Sequence, residues 1–393
     1  MSLFFLSDDV RWIIDSLEAA GHRADIVGGP VRDLIRGVIP NDFDITTSAT
    51  PEETKAVFSG ERIIETGIKH GTVTLLKSGE SYEITTYRID GEYEDSRHPK
   101  SVEFTNRIED DLARRDFTVN AIAYSEKHGI TDPFGGAADI EKKLIRAVGR
   151  ADDRFCEDAL RIIRGIRFAS TLGFAVEKET GAAMKRQAHL LGNISRERIF
   201  VEWKKLLSGD GALPILAEYS DVVSHFFPEA KIPEGLNTEA WREASDLSKH
   251  ISLFYDPGAE KYALAMQRMK TDRRTQTIGR AVLSAAKKYG RTLSDIAFML
   301  RDLGEEAAEI LLECEAILSL GKLSDKHLID RVKMEKIPYN ISMLELGGAD
   351  LLELGFEGAE IKDALDFLLE KCIRGEVENR RGQLLKAVMI LKD

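Results

Sequence analysis

Three cysteines in 393 residues, Cys156, Cys314 and Cys372, are too few and too far apart for a disulfide framework or a zinc pattern, which suits a reducing compartment. No apolar run approaches the roughly 20 residues that a membrane-spanning helix needs. The apolar start, MSLFFLSDD, lacks the basic flank and small-residue cleavage site of a signal peptide. A cytoplasmic chain with no membrane partner is the expectation. Positive charge is also in deficit: 55 Lys and Arg stand against 67 Asp and Glu, a net charge of −12. That balance argues against a nucleic-acid partner unless the bases are locally gathered, because phosphates call for positive surface. Fixed-period repeats and low-complexity tracts are missing as well.

What is there suffices for buried cores: 43% of residues are hydrophobic, and the length suggests two to four domains. Residues 1–150 read as mixed α and β. Residues 10–20 carry a helical pattern, and 24–27 form a short strand running into Gly28 and Gly29. Pro30 sits where a helix can start, since its missing N–H costs nothing at the first helical position. The run DFDITT from Asp42 reads as a strand, and 48–58 as a helix. Residues 72–77 and 82–88 are β-rich and separated by Ser78, Gly79 and Glu80, a hairpin signal. Residues 90–101 are polar and read as a loop. Beyond about residue 151 the pattern is helical almost throughout, beginning with one long helix over 155–172 that Gly173 ends. The polar stretch 232–239 reads as an internal joint.

Three clusters carry chemistry. In the first, Gly28 and Gly29 let backbone approach a triphosphate without an intervening Cβ, and the helix that follows aims N–H groups at it. Arg32 adds a guanidinium fork. Asp42 and Asp44, two apart on a strand, project to one face. Paired carboxylates repel unless cations lie between them, and two Mg²⁺ ions are the usual answer for in-line phosphoryl chemistry. Glu83 is a candidate third carboxylate. By itself an Asp pair at this spacing is commonly a solvated strand end; the glycines and Arg32 upstream make it specific. The second cluster joins Arg114 and Arg115, suited to a triphosphate, to Asp116, suited to a ribose hydroxyl, with Asn120 close behind.

The third cluster places Asp158 and Arg161 three apart on a helix, with Arg164 and Arg167 continuing the row. Cytosine and adenine both present an amine donor beside a ring-nitrogen acceptor; uracil and guanine present an oxygen acceptor beside an N–H donor. An acceptor–donor pair of side chains therefore complements C and A and mismatches U and G. The ordinary alternative is a surface ion-pair ladder.

Taken in order, these clusters resemble the class II tRNA nucleotidyltransferases, the family of CCA-adding enzymes and bacterial poly(A) polymerases. The matching runs are IVGGPVRD (26–33), DFDITT (42–47), YEITTYR (82–88), DLARRDFTVNA (111–121), DPFGG (132–136) and RFCEDALRIIR (154–164). A later run, GEVEN (375–379), resembles the family's tail. The resemblance implies an α+β fold: a polymerase-β-like mixed-sheet head followed by an elongated all-α neck, body and tail, seahorse-like in outline. The divisions expected are 1–150 for the catalytic head, 151–210 for a base-reading neck, and 211–330 and 331–393 for a tRNA-binding body and tail.

The resemblance further implies that Asp42 and Asp44 bind two Mg²⁺ ions and act with Glu83 in catalysis. It implies one nucleotide site for CTP and ATP built from Gly28, Gly29, Arg32, Arg115, Asp116, Asn120, Asp158, Arg161, Arg164 and Arg167. The partner is tRNA, and no obligate protein partner is implied. The activity implied is template-independent addition of C, C and A to tRNA, the alternative being A addition or poly(A) synthesis. Residues 91–100 fill the place of a flexible loop that CC-adding relatives tend to lack, with His98 where the family more often has Arg. Bases gather locally at 142–154, 196–205 and 268–288, where they would hold an RNA backbone despite the acidic total.

Overall fold

A computed structural model describes residues 4–65, 67–68, 71–91 and 102–391. The chain forms two compact units, Met1–Pro228 and Glu229–Asp393, which divide just ahead of the polar stretch 232–239. Apart from Gly91, the loop 91–100 and its His98 lie outside the described residues. Among the described residues, no helix is long and apolar enough to cross a membrane.

The first unit opens with helix α1 (Asp8–Ala19). Ser7 caps it by accepting from Val10 N, and Asp8 and Asp9 occupy its first turn, where the helix dipole favours negative charge. Val10, Ile13, Ile14 and Leu17 form its buried face. Next come β1 (Ala24–Val27), α2 (Gly29–Ile35), β2 (Asp44–Thr47), α3 (Pro51–Val57) and β3 (Arg62–Ile64). A capping box between Thr50 and Glu53 starts α3. Strands β4 (Thr72–Lys77) and β5 (Glu80–Thr86) turn at Ser78 and Gly79, whose φ values of 53° and 87° are those of a tight two-residue hairpin.

A ribbon of β6 (Arg88–Asp90) and β7 (Val102–Phe104), helix α4 (Ile108–Ala113), strands β8 (Ala123–Ser125) and β9 (Gly129–Thr131) and helix α5 (Gly136–Glu141) follow. Seven strands join in the order β3-β4-β5-β2-β1-β8-β9. The sheet is mixed: β2 and β5 run parallel, their register setting Asp44 opposite Glu83, while its other pairs are antiparallel.

Past the short strand β10 (Leu144–Ile145), helices α6 (Ala151–Glu157) and α7 (Leu160–Leu172) lead through β11 (Ala175–Val176) to α8 (Lys178–Gln187), α9 (Arg196–Leu207), α10 (Ala212–Glu218) and α11 (Ser220–Ser224). The single helix expected over 155–172 is in fact two. Asp158 is extended (φ −138°, ψ 101°), and its Oδ1 accepts from Leu160 N at 3.0 Å. A short acidic side chain competes with the helical backbone for that N–H and ends α6 two residues before α7 begins. At Gly165 on α7 a Cβ would stand 2.1 Å from the Met184 methyl and 2.8 Å from the buried Phe117 ring, so a larger residue would force these side chains between α7, α8 and the head to shift. Gly173, at φ 67°, closes α7 as expected.

The second unit is helical, without a strand among its described residues: α12 (Thr238–Glu243), α13 (Asp246–Ser252), α14 (Ala259–Arg268), α15 (Arg273–Ser284), α16 (Leu293–Leu303), α17 (Glu305–Ile317), α18 (His327–Met334), α19 (Gly348–Glu353), α20 (Ala359–Ile373) and α21 (Arg381–Met389). Helix α17 is buried along most of its length. Its carboxylates Glu313 and Glu315 are bound by neighbours: Ser245 N, Ser248 Oγ and Lys326 Nζ for the first, Tyr255 Oη, Lys287 N and Arg291 for the second.

Candidate active site

At the start of α2, Gly28 takes φ 80° and ψ −127°, a conformation reserved for glycine, and a Cβ there would lie 2.9 Å from Arg115 Nη1. The turn brings α2 onto a cavity of about 500 Å³. Into it converge Gly28, Gly29 and Arg32 from α2 and its approach, Asp42 and Asp44 beside β2, Arg114, Arg115, Asp116 and Asn120 from the segment after α4, Asp158 from the end of α6, and Arg161, Arg164 and Arg167 from α7. Every residue named in the three clusters lines it except Glu83. Glu83 is exposed on β5 across from Asp44, near enough to act on that carboxylate electrostatically. Among the described residues, no group of three His, Cys, Asp or Glu side chains is arranged as a metal cage.

The strand expected from Asp42 begins only at Asp44, and Asp42 lies on the bend before it. Both carboxylates reach the cavity from a turn and a strand end rather than from one pleated face. Asp44 keeps an exposed surface there, yet the protein crowding it raises its carboxyl above the usual range. Arg115 opposes that rise, and Asp42 and Glu83 reinforce it. A cation between Asp42 and Asp44 would relieve this repulsion, so the donor set fits a hard divalent metal.

Six arginines and four aspartates line the cavity. Most of the arginines are held from behind. Arg32 donates to Asp33 and, at 2.7 Å, to Asn120 Oδ1. Asn120 in turn donates to Asp116 Oδ1 at 3.2 Å. Asp116 also accepts from Phe117 N and from Arg164 at 2.8 Å. Burial alone would raise the Asp116 carboxyl, but Arg164, with Asn120 and Arg161, brings it down to about 2. Arg164 lies between Asp116 and Glu202, and Arg167 donates to Glu202 at 3.0 Å. Arg114 and Arg115 both bind Asp111.

The break before α7 alters the geometry expected of Asp158 and Arg161. Asp158 stands ahead of α7 rather than on it, and its Oδ2 accepts from Arg198 at 3.3 Å. Arg161, only 8% exposed, donates to Glu157 Oε2 at 2.7 Å and to the carbonyl oxygens of Arg114 and Arg154. The i,i+3 argument on a continuous helix face therefore fails, while the meeting of the two side chains on one cavity stands.

Three contributors escape sequence reading. Phe168 lines the cavity and is flanked by Arg167, Arg164 and Arg32 at 3.6, 5.3 and 5.6 Å from its ring centre. As one apolar residue on an amphipathic helix, it carries no signal of its own. Glu202 and Asp111 act from outside the cavity; Asp111 opens the run DLARRDFTVNA, which by itself gives it no role, and nothing local distinguishes Glu202 from a surface acid.

The profile of the Poly A polymerase head domain matches residues 24–146, and that of the probable RNA and SrmB-binding site of polymerase A matches 173–232. The chain is 36% identical over 386 residues to a CCA-adding enzyme of Bacillus cereus (strain AH187), covering 94% of each chain. It is 36% identical over 389 residues to that of Geobacillus stearothermophilus, covering 96% of this chain and 95% of the other. Its fold superimposes on the crystal structure of the Bacillus stearothermophilus CCA-adding enzyme in complex with CTP with a TM-score of 0.83 and 32% identity, over 98% of this chain and 96% of that one. Likeness of this extent, joined to the convergence of the three clusters on one cavity, places the chain in the class II tRNA nucleotidyltransferases, the family of CCA-adding enzymes and bacterial poly(A) polymerases.

Proposed function

We propose that the cavity is the single nucleotide site of an enzyme that adds C, C and A to the 3′ end of tRNA from CTP and ATP. The observation that carries this reading is the meeting, on one cavity, of paired carboxylates, a cluster of arginines and the Asp158–Arg161 pair. Enzymes of this family are normally metal-dependent, and here Asp42 and Asp44 would hold two Mg²⁺ ions. Bound there, such ions supply activation of the attacking 3′-hydroxyl and stabilisation of the departing pyrophosphate. The remaining work falls to the protein. Gly28 and Gly29 bring backbone close to the triphosphate, Arg32 and Arg115 neutralise it, and Asp116 and Asn120 face the ribose. Asp158 accepts from the base amine, and Arg161 donates to the adjacent ring nitrogen. Arg164 and Arg167 fix the nucleotide's orientation. Pre-held arginines lose little freedom on binding and meet developing charge without rearranging. Glu83 acts on Asp44 through space from outside the cavity.

In this reading residues 1–150 carry catalysis, 151–210 base selection, and 211–330 and 331–393 tRNA binding. The test uses tRNA transcripts ending before the CCA, after C and after CC, each given one labelled NTP, with the products sequenced. Ordered incorporation of C, C and A that stops there is the expected result. Incorporation of A alone, or tracts of A, would reassign the enzyme within its family.

A further inference from the structure

We propose that Asp111, outside the cavity and so far without a role, is a positioning residue that aims the triphosphate-binding arginines and ties them to the metal-binding strand. The proposal rests on the reading of Arg115 as a triphosphate ligand. Asp111 is fully buried within α4. Its Oδ1 accepts two bonds from Arg114, from Nε at 2.9 Å and Nη2 at 2.7 Å. Its Oδ2 accepts from Arg115 Nη2 at 3.3 Å and from the Thr46 hydroxyl at 3.4 Å. Thr46 stands two residues beyond Asp44 on β2, and its hydroxyl also reaches Thr85 O on β5. One buried carboxylate thus joins the strand that begins at Asp44 to both arginines.

The rest of the Arg115 guanidinium is constrained without being satisfied. Nη1 faces Gly28, where a Cβ would approach to 2.9 Å, and Nε is buried with no hydrogen-bond partner. Asp111 therefore fixes one corner of the fork, Gly28 leaves room for another, and a donor remains unmet. A guanidinium held by a buried carboxylate presents its free edge in one direction, whereas a free arginine spreads over many rotamers. Since Asp111 does not line the cavity, it acts only through the groups it holds.

The experiment compares equilibrium binding of CTP and CMP to the full chain in Mg²⁺ without tRNA. The affinity ratio of these ligands isolates the terminal phosphates. The isosteric Asp111→Asn turns an acceptor into a donor facing Arg115 and Thr46. It is expected to lower the CTP:CMP ratio about tenfold while CMP binding changes by less than about twofold. In an Arg115→Ala background the same substitution should alter the ratio by less than about twofold, because its effect travels through Arg115.

A ratio within about twofold of wild type in folded Asp111→Asn overturns the proposal. So does an equal drop in both backgrounds, which marks a structural role. Arg115→Ala alone tests the underlying reading: if it leaves the ratio unchanged, Arg115 is not a triphosphate ligand. Should Asp111→Asn fail to fold, Thr46→Val removes only the hydroxyl. It should lower the ratio about twofold, and an unchanged ratio then overturns the proposal.

Discussion

Asp111, Asp116 and Glu202 in the first unit and Glu313 and Glu315 in the second are all acids buried to within a few per cent. The first three face arginines that line a cavity. The second two face serines, a lysine, a tyrosine and an arginine that knit α17 to its neighbours. The physics is common to both: a desolvated carboxylate is tolerated only when its lone pairs are filled by donors, preferably charged ones. The outcome depends on what else the donor can reach. An arginine held at one edge keeps other donors for a ligand, while a serine hydroxyl is spent on the carboxylate it binds.

The sharpest break in this comparison comes at the acids that no arginine neutralises completely. Asp42→Ala or Asp44→Ala is expected to cut nucleotide incorporation by about a thousandfold or more, because positioning and charge stabilisation supply most of the rate. Binding of tRNA, measured separately by filter retention, should stay close to wild type. Near-normal incorporation in both variants would remove the carboxylates from the reaction.

Glu313→Ala should have the opposite signature. Leaving Ser245 N and the Ser248 hydroxyl without their buried acceptor is expected to cost about 1–3 kcal/mol in denaturant unfolding while CTP affinity is unchanged. The same acid sets a pH dependence. Burial would raise the Glu313 carboxyl, but Lys326, Ser248 and Ser245 bring it below its ordinary value. A carboxyl depressed in the folded state contributes stability that is present above its unfolded pKa, about 4.3, and is lost as pH falls through the folded value. Acidification should weaken the wild type in that interval more than Glu313→Gln, as read from unfolding midpoints. Parallel curves would place the acid sensitivity elsewhere.

Specificity gives a smaller but more pointed effect. Reversing the polarity with Asp158→Arg and Arg161→Asp should shift relative use of UTP or GTP against CTP and ATP by about tenfold to a hundredfold, matching ~1–3 kcal/mol for a bidentate base contact. Because Arg161 also holds Glu157 and two backbone carbonyls, total activity should fall as well. The informative quantity is the ratio among the four NTPs in a folded protein. A wild-type ratio would end the idea that these side chains read the base.

Salt dependence is the mildest test. Affinity for tRNA should fall as salt rises, through counterion release. Several bases in the expected clusters are already engaged, Arg146 with Asp139, Arg274 with Glu306 and Lys288 with Asp302. The slope should therefore be shallower than the number of clustered bases suggests, and a flat response would exclude them as the tRNA surface.

Much of the site was legible because its chemistry is written in short runs. Glycines at 28 and 29, acids at 42 and 44 and the Arg114–Asp116 triplet each announce a local geometry or a charge. Their helices and strands follow from periodicity and capping, as with Ser7 before α1 and Gly173 after α7. Less legible were the element limits at the site itself. Asp42 stands on a bend and Asp158 on a helix break, both where polar side chains compete with regular backbone. Phe168, Asp111 and Glu202 were not legible as contributors at all, since each gains its role from residues distant in sequence or from several arginines at once.

The sequence by itself determined the mixed head, the helical remainder and the identity of the residues that meet at the cavity, because these depend on local pattern and on chemistry that few side chains possess. Only the tertiary structure decided how those residues are oriented. The pairing of Asp158 with Arg198 and the capture of Arg164 between Asp116 and Glu202 join segments about 40 to 50 residues apart, and the bond from Arg115 to Asp111, though only four residues apart, forms in a buried setting that β2 helps to build. Such contacts arise when burial forces each charge to find a partner, and the partner is whichever donor the packed chain brings within reach.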